Sequence, residues 1–168
     1  QHINTSNKSH VDGEVIKEGT ESFKYPIGDS GYYRFASISA PTAVASQYTG
    51  EYQFKNSNTE YPHRNKTGVI NEINDQEFWI VNKSDSTLGS IILTLSWDEN
   101  TTPANLIANG AANLHIVRWD QDQSLWVDQG GVVDFANKTV TTPVDLNGFG
   151  VFTLASIKPN IINPGDVV

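Results

Sequence analysis

The stretch LHIVRWDQDQSLWVDQGG, residues 114–131, decides the fold of this chain. Two apolar runs that each contain a tryptophan flank a short polar segment of Asp, Gln and Ser, which is the pattern of a β-hairpin. The stretch holds two of the chain's four tryptophans and none of the residue combinations that carry catalysis. It therefore predicts a pair of antiparallel strands in an all-β fold.

The two tryptophans of this hairpin form a predicted cross-strand pair. A turn of two residues (122–123) or of four (121–124) sets Trp119 opposite Trp126 in either case. Apolar residues earlier in the first strand point to the other face, so both faces carry apolar bulk. One face is predicted to lie in the core, and either a loop covers the other or it is an exposed patch for contact. Trp119 and Trp126 are accordingly the candidate ligand-binding residues.

The rest of the chain has the same pattern of short apolar runs and polar turns. About ten short apolar runs are separated by turns rich in Gly, Pro, Asn, Asp and Ser. Large apolar residues occupy every second position of SIILTLSW (90–97), and Tyr48, Tyr52 and Phe54 lie in phase within residues 47–54. This period of two predicts half-buried strands, and no long apolar stripe has helical spacing.

We predict one all-β domain, an antiparallel β-sandwich of about ten strands with immunoglobulin-like or jelly-roll architecture. Residues 1–9 are predicted to form a polar N-terminal tail, residues 10–157 the sandwich, and residues 158–168 a linker. The best helical candidate, residues 103–112, is limited by a glycine to a turn or two. Residues 56–74 form the longest segment without a firm strand and are predicted to cross between the sheets.

Composition and charge exclude several classes of partner and chemistry. The net charge of −8 and the pI near 4.8 argue against nucleic acids and anionic membranes, which attract basic surfaces. The absence of cysteine excludes disulfides, thiolate zinc sites and cysteine nucleophiles. No apolar run approaches the roughly 18 residues of a membrane-spanning segment, so no membrane insertion is predicted.

Three aspartates surround the hairpin turn and form the candidate metal site. Asp120, Asp122 and Asp128 supply the oxygen ligands that Ca²⁺ prefers. The regularly spaced loop with its Gly and its terminal Glu is missing, however, and aspartate is also an ordinary turn residue. Calcium is the one candidate cofactor.

Catalytic residues are not predicted. Asp98 and Glu99 follow Trp97 at the end of a strand, where adjacent acids invite a general acid–base interpretation. Glycosidase carboxylates face each other across the substrate, whereas neighbouring strand residues point to opposite faces. The chain also lacks a G-x-S-x-G nucleophile turn, a metal-binding histidine pair and a glycine-rich phosphate loop. The sequence therefore predicts a protein that is not an enzyme.

Segments along almost the whole chain resemble modules of large cell-surface proteins of the Bacteroidetes. VDGEVIKEGTESFKYPIGDSGYYRFASIS (11–39) is similar to their opening strands with a Pro-Ile/Val-Gly-Asp turn. EFWIVNKSDSTLGSIILTLSWDENTTP (77–103) is similar to their Trp strand and the long strand after it. The hairpin (114–131) and GFGVFTLASIK (148–158) resemble their Arg-Trp…Trp-x-Asp-x-Gly hairpin and final strand. The ordered set is more specific than any single motif.

The resemblance implies a place and a role for the module. In that family the module precedes a gliding motility-associated C-terminal domain, the sorting signal for type IX secretion, and INPGDVV (162–168) is similar to the junction. The resemblance therefore implies an extracellular, cell-surface location and a parent protein that continues. It implies three classes of partner: surface glycans, other surface proteins, and the type IX machinery through the downstream domain. It offers no catalytic residues.

Three functions follow as hypotheses. The leading one is a non-catalytic surface module that serves as a spacer or adhesion domain. The second is a carbohydrate-binding module, which predicts an exposed Trp or Tyr ring in a shallow groove. The third, a hydrolase domain, requires two carboxylates that face each other in a cleft.

Overall fold

A computed structural model describes residues 4–159, in which fourteen β-strands and one α-helix alternate with turns. In chain order the elements are β1 (Val15–Glu18), β2 (Phe23–Tyr25), β3 (Gly28–Asp29), β4 (Tyr32–Tyr33), β5 (Ala36–Ile38), β6 (Gln47–Gln53), β7 (Ile70–Ile73), β8 (Phe78–Lys83), β9 (Leu93–Ser96), α1 (Ala104–Ile107), β10 (Leu114–Asp120), β11 (Leu125–Asp128), β12 (Val132–Asp134), β13 (Thr139–Thr141) and β14 (Gly150–Ile157). Turn residues between short apolar runs keep every strand at eight residues or fewer.

Two antiparallel sheets form the predicted β-sandwich. The larger sheet has the order β1-β6-β8-β14-β10-β11, and β7 is its seventh strand, paired with β14. The smaller sheet has the order β12-β13-β9-β5-β2, and β3 and β4 form a separate hairpin. The strand count exceeds the prediction because several strands have only two or three residues, too few to show an alternating pattern.

The segment 56–74, for which the sequence predicts no firm strand, contains β7. Ala155 of β14 lies opposite Ile73 and Ile157 lies opposite Ile70, with a register irregularity between the two pairs. The two buried isoleucines of β7 are therefore three positions apart instead of two or four. An irregular pairing of this kind removes the period-two signal from the sequence.

The face between the two sheets holds the inner core. Its large members come from both sheets and include Tyr25, Ile38, Tyr48, Tyr52, Trp79, Leu93, Leu95, Ile116, Phe152 and Leu154. The alternating residues of 90–97 that were predicted to share one face are all at most 2% exposed, which confirms that prediction. Burial of this set is the main driving force for folding.

The opposite face of the larger sheet holds a second cluster, the outer core. It consists of Ile70, Ile73, Phe78, Val117, Trp119, Trp126, Val151 and Ala155. Successive residues of β10 alternate between the two cores, as Ile116 and Val117 show. The larger sheet is therefore buried on both faces around β7, β10, β11 and β14, and its outer face is more exposed at β1 and β6.

The chain enters and leaves the sandwich at one end, called the base. Within the predicted tail, the Asn7 side-chain oxygen accepts a hydrogen bond from Tyr33 N (2.8 Å). After β14, Lys158 N donates to Val69 O (2.9 Å). Most of the predicted linker, residues 160–168, lies outside the described residues. The opposite end, called the tip, carries the turn between β10 and β11.

The predicted helical segment forms α1 and a following 3-10 turn at residues 108–111. Asn109 (φ 57°) and Gly110 (φ 71°) adopt left-handed conformations, which end the helix. The prediction of no more than a turn or two is confirmed. Within residues 4–159, no helix has the length and apolar character needed to cross a membrane.

Candidate functional site

β10 and β11 form the predicted hairpin around a four-residue turn, 121–124. Trp119 lies opposite Trp126 and Asp120 lies opposite Leu125, so the predicted register is confirmed. The two indole rings meet edge to face, with centroids 5.8 Å apart and planes at 70°. Edge-to-face contact is a favourable arrangement for an aromatic pair.

A loop covers the tryptophan pair, which is one of the two interpretations that the sequence leaves open. Trp126 Nε1 donates to Tyr61 O (3.0 Å), and Trp126 N donates to Asn65 O (2.9 Å). The Tyr61 ring packs against both indoles, and Trp119 and Trp126 are only 7% and 0% exposed. Neither ring offers an open face for a stacking ligand. The pair anchors this covering loop, residues 61–67.

The aspartates of the candidate calcium site are engaged with different partners. The Asp120 carboxylate accepts hydrogen bonds from the backbone N–H groups of Gln123 (3.1 Å) and Asp122 (3.0 Å), and the hydrogen bonds from Gln123 lower its pKa most. Asp128 lies further along β11, where its Oδ1 is 2.9 Å from His115 Nδ1. In the described part of the chain, no three His, Cys, Asp or Glu side chains are placed to hold a metal ion.

A polar cleft opens at the base beside the covering loop. Its volume is about 470 Å³, which lies in the range of small-ligand sites. Three parts of the chain meet there: the segment from the end of β6 to β7, the turn after β7, and the start of α1. Most of the lining side chains carry an amide, an imidazole or a charge, among them Asn56, Asn58, His63, Lys66, Asp75 and Gln76.

His63 is held rigidly in the wall of the polar cleft. Its Nε2 lies 2.8 Å from Ser57 Oγ, and its backbone N–H donates to Asn58 Oδ1 (2.7 Å). Its ring packs edge-on against Trp126, with centroids 5.9 Å apart. Burial lowers the pKa of His63 from 6.5 to about 4, against the opposing effect of the Asp75 carboxylate. The imidazole is therefore neutral at pH 7, with one nitrogen that donates and one that accepts.

The turn between β7 and β8 forms the floor of the polar cleft. Asp75 and Gln76 are exposed there, and their side chains make no hydrogen bond with other described residues. The turn itself is tightly held, because Gln76 N donates to the buried Asn74 Oδ1 (2.9 Å). Hydrogen-bonding groups without partners thus sit on a fixed piece of backbone, as ligand sites require.

Two side-chain contacts brace the far wall of the polar cleft. Asn105 at the start of α1 donates to the Glu72 carboxylate of β7. The Lys66 ammonium of the covering loop donates to Asn71 O, also in β7. The first contact joins α1 to β7, and the second lies within the segment from the end of β6 to β7. The wall therefore carries both charges and amides in positions set by neighbouring elements.

Directly behind the floor lies Glu77, a fully buried carboxylate that sequence reasoning missed. It accepts hydrogen bonds from Tyr52 Oη (2.8 Å), Thr102 Oγ1 (2.7 Å) and Asn74 Nδ2 (3.1 Å), and Arg34 Nε is 4.0 Å away. Burial raises the pKa of Glu77, while these hydrogen bonds oppose the rise. The only signal in the sequence was an acid directly before the apolar run FWIV.

Asp98 and Glu99 lie in the turn after β9, which ends at Ser96, so the strand alternation used in the prediction does not apply to them; they contact different partners. Arg34 Nη2 is 3.1 Å from Asp98 Oδ1, so this guanidinium bridges Asp98 and the buried Glu77. Glu99 pairs instead with Lys138 at the surface (2.7 Å). Because Glu77 is 0% exposed, its network holds the floor of the polar cleft in place and does not contact a ligand.

Comparison with known proteins identifies no relative: no family model, curated protein or solved structure matches the chain. The polar cleft combines an open volume, hydrogen-bonding groups without partners and a rigid support. These are properties of ligand sites in general. The polar cleft is therefore the candidate functional site.

Proposed function

We propose that this chain is a non-catalytic binding module of an extracellular surface protein, with an adhesin-type role. The observation that carries the proposal is the floor of the polar cleft. There Asp75 and Gln76 present free hydrogen-bonding groups on a turn that Glu77 holds from behind. A preorganised site of this kind loses little conformational entropy when it binds.

The extracellular location is supported by the sequence resemblance. Residues 11–168 share an ordered set of motifs with surface modules of the Bacteroidetes. Those modules precede a type IX sorting domain, so the type IX machinery is the proposed export partner. Surface glycans and other surface proteins are the proposed binding partners.

A spacer role and an adhesion role are the two forms of the non-catalytic proposal. A spacer needs no binding site. The polar cleft, with the hydrogen-bonding groups of Asp75 and Gln76 on its floor, favours adhesion.

Two alternative functions receive different support from the same geometry. Carbohydrate binding through an exposed tryptophan is not supported, because every tryptophan is at most 7% exposed and no indole face is open to a sugar ring. A hydrolase is favoured by one observation, that the carboxylates of Glu72 and Asp75 line the same cleft. Glu72 is engaged by Asn105, however, which leaves Asp75 as the one acid there without a hydrogen bond.

The proposal is tested by adhesion and turnover on the same material. Fluorescent beads coated with residues 1–168 are expected to adhere to surfaces coated with polysaccharide or with bacterial envelope protein, without releasing reducing sugar or peptide. Beads coated with an Asp75→Ala, Gln76→Ala double variant are the matched comparison. Product release that disappears in Glu72→Gln or Asp75→Asn would overturn the non-catalytic proposal, and failure to adhere to any surface would overturn the adhesive one.

The location has its own test. An antibody raised against this domain is expected to label intact cells that make the parent protein. Labelling only after permeabilisation would contradict an extracellular location.

A further inference from the structure

We propose that the polar cleft binds a neutral oligosaccharide. The inference rests on the proposed binding function and names the class of ligand for that site. It follows from four properties of the cleft: the hydrogen-bonding character of its side chains, its charge, its small apolar portion and the way in which the tryptophan pair supports it.

The hydrogen-bonding character matches hydroxyl groups. Four asparagines and one glutamine line the cleft: Asn56, Asn58, Asn71, Gln76 and Asn105. A carboxamide presents a donor and an acceptor side by side, and a sugar hydroxyl is likewise both donor and acceptor. Part of this capacity is used within the protein: Asn56 Oδ1 and Asn58 Oδ1 accept backbone hydrogen bonds, and the Nδ2 groups of Asn71 and Asn105 donate. What remains among the described residues is a mixture of donors and acceptors, which hydroxyl groups can satisfy. A ligand with only acceptors, or only donors, would leave half of the groups unpaired at a cost.

The charge of the cleft disfavours ionic ligands. Lys66 is its one lysine, against two carboxylates, those of Glu72 and Asp75. The Lys66 ammonium already donates to Asn71 O, and the His63 imidazole is neutral at pH 7. A sulfated or phosphorylated ligand would meet more negative than positive charge. A metal cation lacks a cluster of three charged or imidazole ligands within residues 4–159. An uncharged polyol remains the best match.

The apolar portion of the cleft is small. Among the described residues, the aliphatic lining comes from Ile73, Pro103 and Leu106, and Ile73 and Leu106 are only 8% and 4% exposed. Lipids and aromatic compounds need mostly apolar pockets. Many amides with little apolar surface suit a ligand with a rim of hydroxyl groups better.

The tryptophan pair acts on this site as a positioning element. Trp126 receives the edge of the His63 ring and bonds the covering loop through Tyr61 O and Asn65 O. It lies beneath the wall and does not line the cleft. The hairpin therefore contributes to binding through the residues that it holds.

The inference is tested on a glycan array that includes neutral, sialylated and sulfated glycans, followed by calorimetric titration of the neutral glycans that bind. Asp75→Ala and Gln76→Ala are each expected to weaken binding by about fivefold or more, the effect of one lost hydrogen bond of about 1 kcal/mol. Both side chains are exposed and make no hydrogen bond, so folding is expected to persist. Asp85→Ala, which alters an exposed aspartate in the turn after β8, is the matched control and is expected to bind as the unaltered chain does.

Several results would overturn the inference. These are binding only to anionic glycans, binding to neutral glycans that Asp75→Ala and Gln76→Ala leave unchanged, or no glycan binding by folded protein. If folded protein binds no glycan but the beads still adhere to envelope protein, the oligosaccharide proposal is contradicted and the adhesion proposal is not. Loss of all adhesion would contradict both proposals.

Discussion

Around β7, β10, β11 and β14 both faces of the larger sheet are buried, but they are buried by different kinds of structure. The inner core is closed by a second hydrogen-bonded sheet, whereas the outer core is closed by the irregular loop 61–67 and by β7. A second sheet can be removed only by unfolding the domain. A loop can separate locally, because few backbone hydrogen bonds hold it. The inner face therefore supplies most of the free energy of folding, whereas the outer face holds the loop that forms one wall of the polar cleft.

The largest effect is expected from a cavity in the inner core. Phe152→Ala removes a 0% exposed ring at the centre of the larger sheet. We expect a loss of about 3–5 kcal/mol in the free energy of unfolding, measured by denaturant titration. Hydrogen exchange should accelerate in both sheets together. A loss of protection confined to one sheet would break the distinction between the two cores.

A smaller global effect is expected from the outer core. Trp126→Ala should cost about 3 kcal/mol, at the low end for a buried tryptophan, because the covering loop can separate without unfolding the sheets. Amides of residues 61–67 should exchange much faster than those of β9 and β5, and glycan binding should be lost. Trp126→Phe is the control that keeps an aromatic anchor. Uniform loss of protection across both sheets would contradict a local role.

Substitution in the buried network of Glu77 is expected to have the next largest effect on stability. Glu77→Gln keeps the shape of the side chain but leaves Arg34 with Asp98 as its only carboxylate partner. We expect a loss of about 1–3 kcal/mol by thermal or chemical unfolding. Glu99→Gln removes an exposed partner of Lys138 and should change stability by no more than about 0.5 kcal/mol. Equal losses of stability in the two variants would show that the buried network of Glu77 does not stabilise the fold more than a surface ion pair does.

The last expected effect is a pH dependence that arises from His63. Its pKa in the folded protein, about 4, lies below the ordinary value of 6.5, so the unfolded chain binds the proton more tightly. The stabilisation is therefore complete above pH 6.5 and is lost as the pH falls towards 4. His63→Gln should remove this part of the pH dependence in unfolding titrations between pH 7 and 4. Parallel curves for the variant and the unaltered chain would contradict it.

The hairpin is the part of the fold that local sequence predicts best. Its turn chemistry and alternation predict the register that places Trp119 opposite Trp126, since register within a hairpin depends only on adjacent residues. The same local pattern predicts apolar bulk on both faces. It does not predict which segment covers the outer face, because the covering residue Tyr61 is far from the hairpin in sequence.

The polar cleft is a feature that local sequence does not predict. His63, Asp75 and Asn105 carry no shared motif and no regular spacing, and the folded chain brings them to one cleft from three different segments. Glu77 was missed for a related reason. An acid beside an apolar strand is normally exposed, and only the convergence of Tyr52, Asn74 and Thr102 makes its burial tolerable.

The sequence by itself determined the all-β class, the alternation of the strands and the tryptophan register, because these depend on periods and turns within a few neighbouring residues. Tertiary structure decided that the tryptophan pair is covered, that Asp128 contacts His115, and that a polar cleft lies at the base. Those outcomes depend on contacts between segments distant in sequence. Such contacts are set by which surfaces can be buried together, and no local period records them.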